Sequence, residues 1–400
     1  MLQLSERAKH VQGSVTLAID SQAKQMRQQG VDVVSFGAGE PDFPTPQHIC
    51  QAAVDAMQKG QTRYTPAAGT LALRETICKK LEERNGLAYT PSQIVVTNGA
   101  KQALHNAICV TVNPGDEVIV PTPCWVSYVE LIRMAGGIPV FVHTKEEDGF
   151  ALRAADVEKV VTERTKAILL NTPNNPCGSV VAMDTLQAIA QLAVEKDLVV
   201  ISDEIYEEFV YEGERPASIA TLGEAVKEHV ILVNGVSKTY AMTGWRVGYA
   251  AAAPVFAKAM ANWQSHATGN VNSIAQAAAV EAIGGDQKDV HQMVDEFRKR
   301  RDAMVARVNA IPRLRCRTPQ GAFYVMVDIR QALGCSYGRT KLTDSMTFAQ
   351  TLLSNKAVAV VPGKAFEAEG MIRFSYALSM EDLQRGLDRI EDFMNQLTME

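Results

Sequence analysis

Val230-Ile-Leu-Val-Asn-Gly-Val-Ser-Lys-Thr-Tyr-Ala-Met-Thr-Gly-Trp-Arg246 passes from an apolar run into a polar turn. The run Val230, Ile231, Leu232, Val233 reads as a strand, and Ser237 and Lys238 follow its end. An amine in that place can be held out of bulk water, which lowers its pKa and makes it a usable nucleophile. Lysines of this kind form Schiff bases with carbonyl compounds. Ser237 and Arg246 offer a hydroxyl and a guanidinium, both suited to a phosphate. Taken alone, Lys238 is better explained as a surface residue in a loop, because lysines are rarely buried. The flanking sequence reverses that.

Upstream of this stretch, β-rich runs recur at Ile94–Thr97, Glu117–Val120, Pro139–Val142, Ala167–Asn171 and Leu198–Asp203, and another comes after it at Val247–Ala251. Amphipathic stretches of helical length lie between several of them: Ala100–Val112, Trp125–Ala135, Met183–Lys196 and Pro216–His229. Such alternation predicts an α/β fold with a doubly wound, mostly parallel sheet and helices on both faces. Ala167–Leu170 and Leu198–Ile201 are continuously apolar, as buried parallel strands are. After about residue 285 the pattern changes to a long charged helix (Val290 to Asn309) and strand candidates at Phe323–Val327, Ala357–Val361 and Met371–Ser375. The first 45 residues hold one helical stretch (Thr16 to Gln29) and then a Gly/Pro-rich passage. The expected organisation is an N-terminal arm (1–45) that joins a smaller α+β domain (286–400), with a large domain (46–285) between them.

In a parallel α/β sheet, ligands gather beyond the carboxyl ends of the strands. Four polar segments fall there: Asn98-Gly-Ala-Lys101, Asn171-Thr-Pro-Asn-Asn-Pro176, Asp203-Glu-Ile-Tyr206 and Ser237-Lys238. Gly99 and Ala100 open a helix, where backbone N–H groups and the helix dipole favour an anion; Asn98 as a plain N-cap explains them equally well. Asp203 can pair with a protonated pyridine nitrogen, and Tyr206 can reach a ring oxygen; an N-cap aspartate is the plainer alternative. The two prolines and the glycine of residues 171–178 make a rigid turn presenting amide side chains, of either structural or binding use. Trp125 can stack on a flat ring or fill the core. Arg373, inside the apolar strand, suits bidentate capture of a carboxylate or an internal salt bridge. The histidines are dispersed without metal spacing, and no dinucleotide, P-loop or serine-hydrolase motif is complete.

Composition narrows the class. The chain has 400 residues, 46% hydrophobic and 21% charged, with a formal charge of -5, which exerts no general pull toward nucleic acid or anionic membrane. The basic run Arg298-Lys-Arg-Arg301 sits among acids in a helical pattern and reads as a solvated face. Seven scattered cysteines without a C-x-x-C pair argue against a disulfide framework and fit a reducing, cytoplasmic setting. The first residues lack the apolar core of a signal peptide, and no uncharged apolar stretch approaches the roughly 18 residues of a membrane helix.

Taken together, Ser237-Lys238 with Met242-Thr-Gly-Trp-Arg246-Val-Gly248, Asp203-Glu-Ile-Tyr206, Asn174-Asn-Pro176, Gly39-Glu-Pro-Asp-Phe43 and Tyr64-Thr-Pro-Ala-Ala-Gly69 resemble the class I/II aminotransferases of pyridoxal-phosphate fold type I. Within that family the chain is most similar to the prokaryotic-type aspartate aminotransferases. The likeness runs from about Val31 to Ile390. It implies a two-domain α/β fold, pyridoxal 5'-phosphate as cofactor and a homodimer. Lys238 would hold the cofactor as an aldimine and carry the proton between Cα and C4′. Asp203 would keep the ring nitrogen charged, Tyr206 and Asn175 would bond the ring oxygen, and Trp125 would stack on the ring. Gly99, Ala100, Ser237 and Arg246 would cradle the phosphate, joined by Tyr64 from the neighbouring subunit. Arg373, Asn175 and the backbone of Gly39 would bind the substrate α-carboxylate; Ser14, Thr16 and Lys101 match the positions that face a distal carboxylate. A relative that also accepts prephenate carries lysine where this chain has Gln12, which speaks against prephenate. Cys177 stands where the family usually has threonine, another small side chain. The implied activity is transfer of an amino group from aspartate, or a similar amino acid such as an aromatic one or alanine, to 2-oxoglutarate. The same fold also serves lyases, decarboxylases, synthases and non-catalytic regulators, which ammonia, sulfide or CO2 release, or a colourless protein, would reveal.

Overall fold

The computed structural model describes residues 3–5, 8–9, 11, 13, 15–213 and 216–399, the side chains of residues 15–17 and 20 excepted. Seven strands make the main sheet: β1 (Ile94–Thr97), β2 (Glu117–Thr122), β3 (Ile138–His143), β4 (Thr165–Asn171), β5 (Val199–Asp203), β6 (Val230–Gly235) and β7 (Gly248–Ala252). Their spatial order is β1-β7-β6-β5-β4-β2-β3. All pairings are parallel except those of β7, which runs antiparallel to both β1 and β6. The ends of β1, β4, β5 and β6 therefore open on one edge of the sheet.

Each buried strand feeds two cores, because successive side chains point to opposite faces. Ile168, Leu170, Val200 and Leu232 join one cluster, with Leu73, Ile77, Leu186 and Ile189 from covering helices. Ala167, Leu169, Ile201 and Ile231 join the other, with Leu104, Ala107, Tyr128 and Met260. Two helices start at the strand-end edge: α1 (Ala100–Thr111), which leaves β1, and α2 (Val126–Met134), which leaves β2.

A four-stranded antiparallel sheet forms the second unit. It contains β8 (Arg315–Cys316), β9 (Tyr324–Asp328), β10 (Val361–Pro362) and β11 (Met371–Ser375), in the order β10-β11-β9-β8. Its core holds Val34 and Phe36 from the N-terminal part and Ile205, Tyr206 and Phe209 from the loop after β5. The sequence expectation of one strand at Ala357–Val361 is corrected: Val358–Ala359 pairs in parallel with Val34–Ser35, and Val361–Pro362 pairs separately with β11. The two pairings draw residues 34–43 across the mouth of the large sheet.

Two further expectations change. Pro216–His229 is not one helix but a 3-10 turn (Ile219–Leu222) and a short helix (Glu224–Glu228). Gly223 between them has φ 133 and ψ 159, a region essentially closed to other residues, so the helical path breaks there. The run Arg298–Arg301 is only half solvated. Arg300 and Arg301 are buried on the long helix α3 (Lys288–Ala310). The Arg300 guanidinium donates to Asp42 at 2.7 Å and lies over the Phe43 and Phe297 rings. Arg301 donates to the Pro319 carbonyl at 3.0 Å and lies over Tyr211. Neighbours one apart on a helix face different directions, so a run of four basic residues cannot share one environment. No helix among the described residues is long and apolar enough to cross a membrane.

Candidate active site

A cavity of about 470 Å³ opens at the strand-end edge, between the two sheets. Lys238 reaches it from the turn after β6, which is closed by bonds from the Met242 N–H to the Ser237 carbonyl (3.1 Å) and from the Ala241 N–H to the Lys238 carbonyl (3.2 Å). Its amine donates to the Gly39 carbonyl at 2.5 Å. Burial pulls the Lys238 amine down to about 8; Glu40 opposes that, while Arg246 and Arg373 reinforce it. An amine so placed is partly unprotonated near neutral pH, as a nucleophile needs to be.

Asp203 ends β5 on the cavity floor. It accepts from the Tyr128 hydroxyl at 2.7 Å and from the Ile205 N–H at 3.2 Å, and no cation among the described residues pairs with it. Burial pushes its carboxyl up to about 6, against the pull of those two bonds and of Lys238. Asn171, at the end of β4, holds the adjoining turn: it donates to the Asp203 carbonyl at 3.0 Å and accepts from the Asn175 N–H at 2.8 Å.

A group of donors suited to an anion lies where α1 starts. The cap position is Gly99, with φ 81 and no side-chain cap, whereas the Asn98 N–H is taken by Gln102 at 2.6 Å; the Asn98 cap considered from sequence is not formed. A Cβ on Gly99 would stand 2.2 Å from Arg246 Nη2, so only glycine lets this backbone approach the guanidinium. Arg246 itself is held by the Thr243 carbonyl (2.9 Å) and the Asn98 carbonyl (3.2 Å). Ser237, buried, and Ala100 line the same end. The start of α1, the Arg246 guanidinium and Ser237 thus border the same cavity, a set of groups that suits an anion.

Across the cavity, Arg373 is buried in β11. It donates to Asn175 Oδ1 at 2.9 Å and to the Gly37 carbonyl at 3.0 Å, its Nε has no partner, and no described carboxylate pairs with it. The salt bridge considered from sequence is absent among the described residues. Its positive charge is therefore uncompensated, and burial lowers its pKa. Trp125 stands at the start of α2, edge-on to Tyr128 with centroids 5.3 Å apart, and Lys101 Nζ lies 4.9 Å from the Trp125 ring centroid. Burial, then Arg246, lowers the pKa of Lys101.

The cavity thus gathers Gly39, Ala100, Lys101, Trp125, Asn175, Asp203, Tyr206, Ser237, Lys238, Arg246 and Arg373, with Gly99 just behind its wall. Tyr64 lies elsewhere, 99% exposed on the surface. Gln12 and Ser14 fall outside the described residues; Thr16 lies in the helix Val15–Gln28, with its side chain outside them. Cys177 is buried off the cavity and bonds to Asn174 Oδ1 at 2.9 Å. Sequence reasoning missed Tyr128, Tyr324, Lys24 and the pair Thr243–Glu40, joined at 2.6 Å. Tyr128 carried a readable signal: it stands three positions after Trp125 at a helix start, so both sit on one face.

Residues 31–390 match the family described as aminotransferase class I and II. The chain is 42% identical over 391 residues to an aspartate aminotransferase of Bacillus sp. (strain YM-2), covering 98% of this chain and 99% of the relative. It is 44% identical over 396 residues to a probable aspartate/prephenate aminotransferase of Aquifex aeolicus, covering 98% and 99%. A solved structure of Thermus thermophilus aspartate aminotransferase with maleate superposes with a TM-score of 0.93 at 42% identity, covering 98% of this chain and 100% of that one.

Proposed function

The chain belongs to the class I and II aminotransferases, and from that membership we propose that it moves the amino group of L-aspartate to 2-oxoglutarate at the Lys238 cavity. It is a pyridoxal-phosphate-dependent transaminase, with amino acids and 2-oxo acids as substrates. The residues present fit that cofactor. Asp203 is a buried carboxylate with no ion-paired cation among the described residues, as a protonated ring nitrogen requires. The Gly99–Arg246 cradle accepts no Cβ, as a close-held phosphate requires. Bound there, the cofactor supplies a carbonyl carbon for amines and an electron sink for the substrate α-carbon.

In this reading Gly99, Ala100, Ser237 and Arg246 hold the phosphate, Asp203 holds the ring nitrogen proton, Tyr206 and Asn175 serve the ring oxygen, and Trp125 covers the ring. Arg373 binds the α-carboxylate, which orients the α C–H toward the Lys238 amine, the base that removes the proton and returns it. The observation that carries the proposal is the Arg373 guanidinium, which has no carboxylate partner among the described residues, facing the same cavity as the depressed Lys238 amine. A second anionic group on the substrate is supported by the charge of the lining: five cations (Lys24, Lys101, Lys238, Arg246, Arg373) against two carboxylates (Glu40, Asp203). Lys101, with Ser14 and Thr16, is the proposed distal-carboxylate site. Prephenate stays outside the proposal, on the strength of Gln12.

The enzyme works as a homodimer in which Tyr64 reaches the partner's phosphate, a role supported by its complete exposure on its own chain. The lobes divide at 1–45, 46–285 and 286–400, and the setting is cytoplasmic, as the scattered free cysteines favour. The test tracks the holoenzyme spectrum while each amino acid is added without an acceptor. L-aspartate and L-glutamate should bleach the lysine-bound form fastest; a faster response to an aromatic amino acid or alanine would overturn the dicarboxylate assignment.

A further inference from the structure

Tyr324 opens β9 of the smaller sheet, yet its hydroxyl lies 3.0 Å from that of Tyr206 on the cavity wall. It is fully buried, and its ring face stands 4.3 Å from the Arg373 guanidinium carbon. None of the roles held by the other cavity residues requires it. Counting donors and acceptors assigns it one. Arg373 carries donors only, so the Asn175 atom facing it at 2.9 Å is the carbonyl oxygen. That fixes the amide: its NH2 end faces the Tyr206 hydroxyl at 3.4 Å and donates to it. A phenol has one proton and two lone pairs. An anionic oxygen placed in the cavity opposite Tyr206 takes the Tyr206 proton. Tyr324, whose hydroxyl has no other hydrogen-bond partner among the described residues, then becomes donor to the second lone pair. With both lone pairs filled, the Tyr206 proton has one direction left, into the cavity. Each bond accepted also strengthens the bond donated.

We propose that Tyr324 is a positioning residue of the transamination site, locking Tyr206 as donor to the ring oxygen of the cofactor. This rests on the aminotransferase function proposed for the cavity. It connects two functions, since the same tyrosine that aims Tyr206 also lies under the guanidinium that takes the α-carboxylate.

The test uses the purified holoenzyme and Tyr324→Phe, which removes one hydroxyl and keeps the ring beneath Arg373. The readout is the pH midpoint of the visible absorbance band. A weaker Tyr206 bond leaves more charge on the ring oxygen, so the bound chromophore holds its proton more tightly. The midpoint should rise by a few tenths of a unit, because an accepted hydrogen bond strengthens the one donated by roughly 10–30%. Turnover should fall while KM for the amino acid stays close to the wild-type value. In Tyr206→Phe, adding Tyr324→Phe should shift the midpoint no further, because the effect passes through Tyr206. A purely structural tyrosine would lower the melting temperature and leave the midpoint in place. An unmoved midpoint in Tyr324→Phe, or an undiminished shift in the Tyr206→Phe background, overturns the inference. A wild-type protein with no cofactor band would instead overturn the aminotransferase function, and this inference with it.

Discussion

Asp203 is buried with two hydrogen-bond donors and no paired cation among the described residues, and burial pushes its carboxyl up to about 6 from an ordinary 3.8. A carboxyl whose pKa is raised on folding takes up protons with the fold between those two values. The protein without cofactor therefore loses stability as pH climbs through that window, by about 3 kcal/mol once it is passed. Asparagine keeps both contacts without a charge: its oxygen accepts from the Ile205 N–H and its NH2 donates to the Tyr128 hydroxyl, whose own proton is left to water in the cavity that Tyr128 lines. Asp203→Asn should raise the denaturant midpoint of the cofactor-free protein at pH 8 and leave it unchanged near pH 3.8. The same change should lower kcat/KM by roughly 10²–10³-fold, the usual loss when a preorganised charge is removed. A variant no more stable than wild type at pH 8 would show that the site stores no such strain. Lys238→Ala is the companion experiment: it should abolish turnover and the visible band together, and borohydride trapping of wild type should label position 238 alone. At this scale, residue types just past strand ends are readable one by one. Tyr324 is not, because its meaning depends on Tyr206, 118 positions away in sequence.

Helix α1 and the strand before it make one device, a tight turn that delivers a helix N-terminus to the cavity. Gly99 carries it, with φ 81 and a guanidinium where a side chain would begin. Gly99→Ala should cost about 1–3 kcal/mol in backbone strain alone. It should also weaken pyridoxal phosphate binding by roughly tenfold or more, read by titrating the cofactor-free protein. Unchanged affinity would mean that Arg246 can retreat without loss. Elements with one wet face are legible: Met183–Lys196 has the bounds expected of it because its apolar residues recur at helical spacing. Ser273–Gly284 does not stand out in the sequence, since it is apolar on nearly every side and carries no period. Its helix is decided by the core it fills.

At the level of the molecule, three segments distant in sequence meet at one cavity: residues 37–40, the strand ends of the large sheet, and Arg373 with Tyr324 from the small one. The loop 37–43 is tied to both sides, through Arg373 and Arg300 on one and through Lys238 and Thr243 on the other. Tyr64 is wholly exposed on its own chain and is not among the residues that line the cavity. If it completes the partner's phosphate cradle, mixing two defective variants should restore function. Refolding Tyr64→Ala together with Lys238→Ala should recover activity above either alone, because each hybrid dimer rebuilds one intact site. Activity no greater than the sum of the separate variants would place Tyr64 outside the site. The sequence by itself determined the alternating architecture and the chemistry at the strand ends, because periodicity, turn residues and short motifs are local and need no partner to be read. Only the tertiary structure decided that Arg300 and Arg301 turn inward, that Arg373 meets no carboxylate among the described residues, and that Tyr324 stands behind Tyr206. Burial and hydrogen-bond partnership are properties of what the chain brings together across long separations, and no local pattern encodes them.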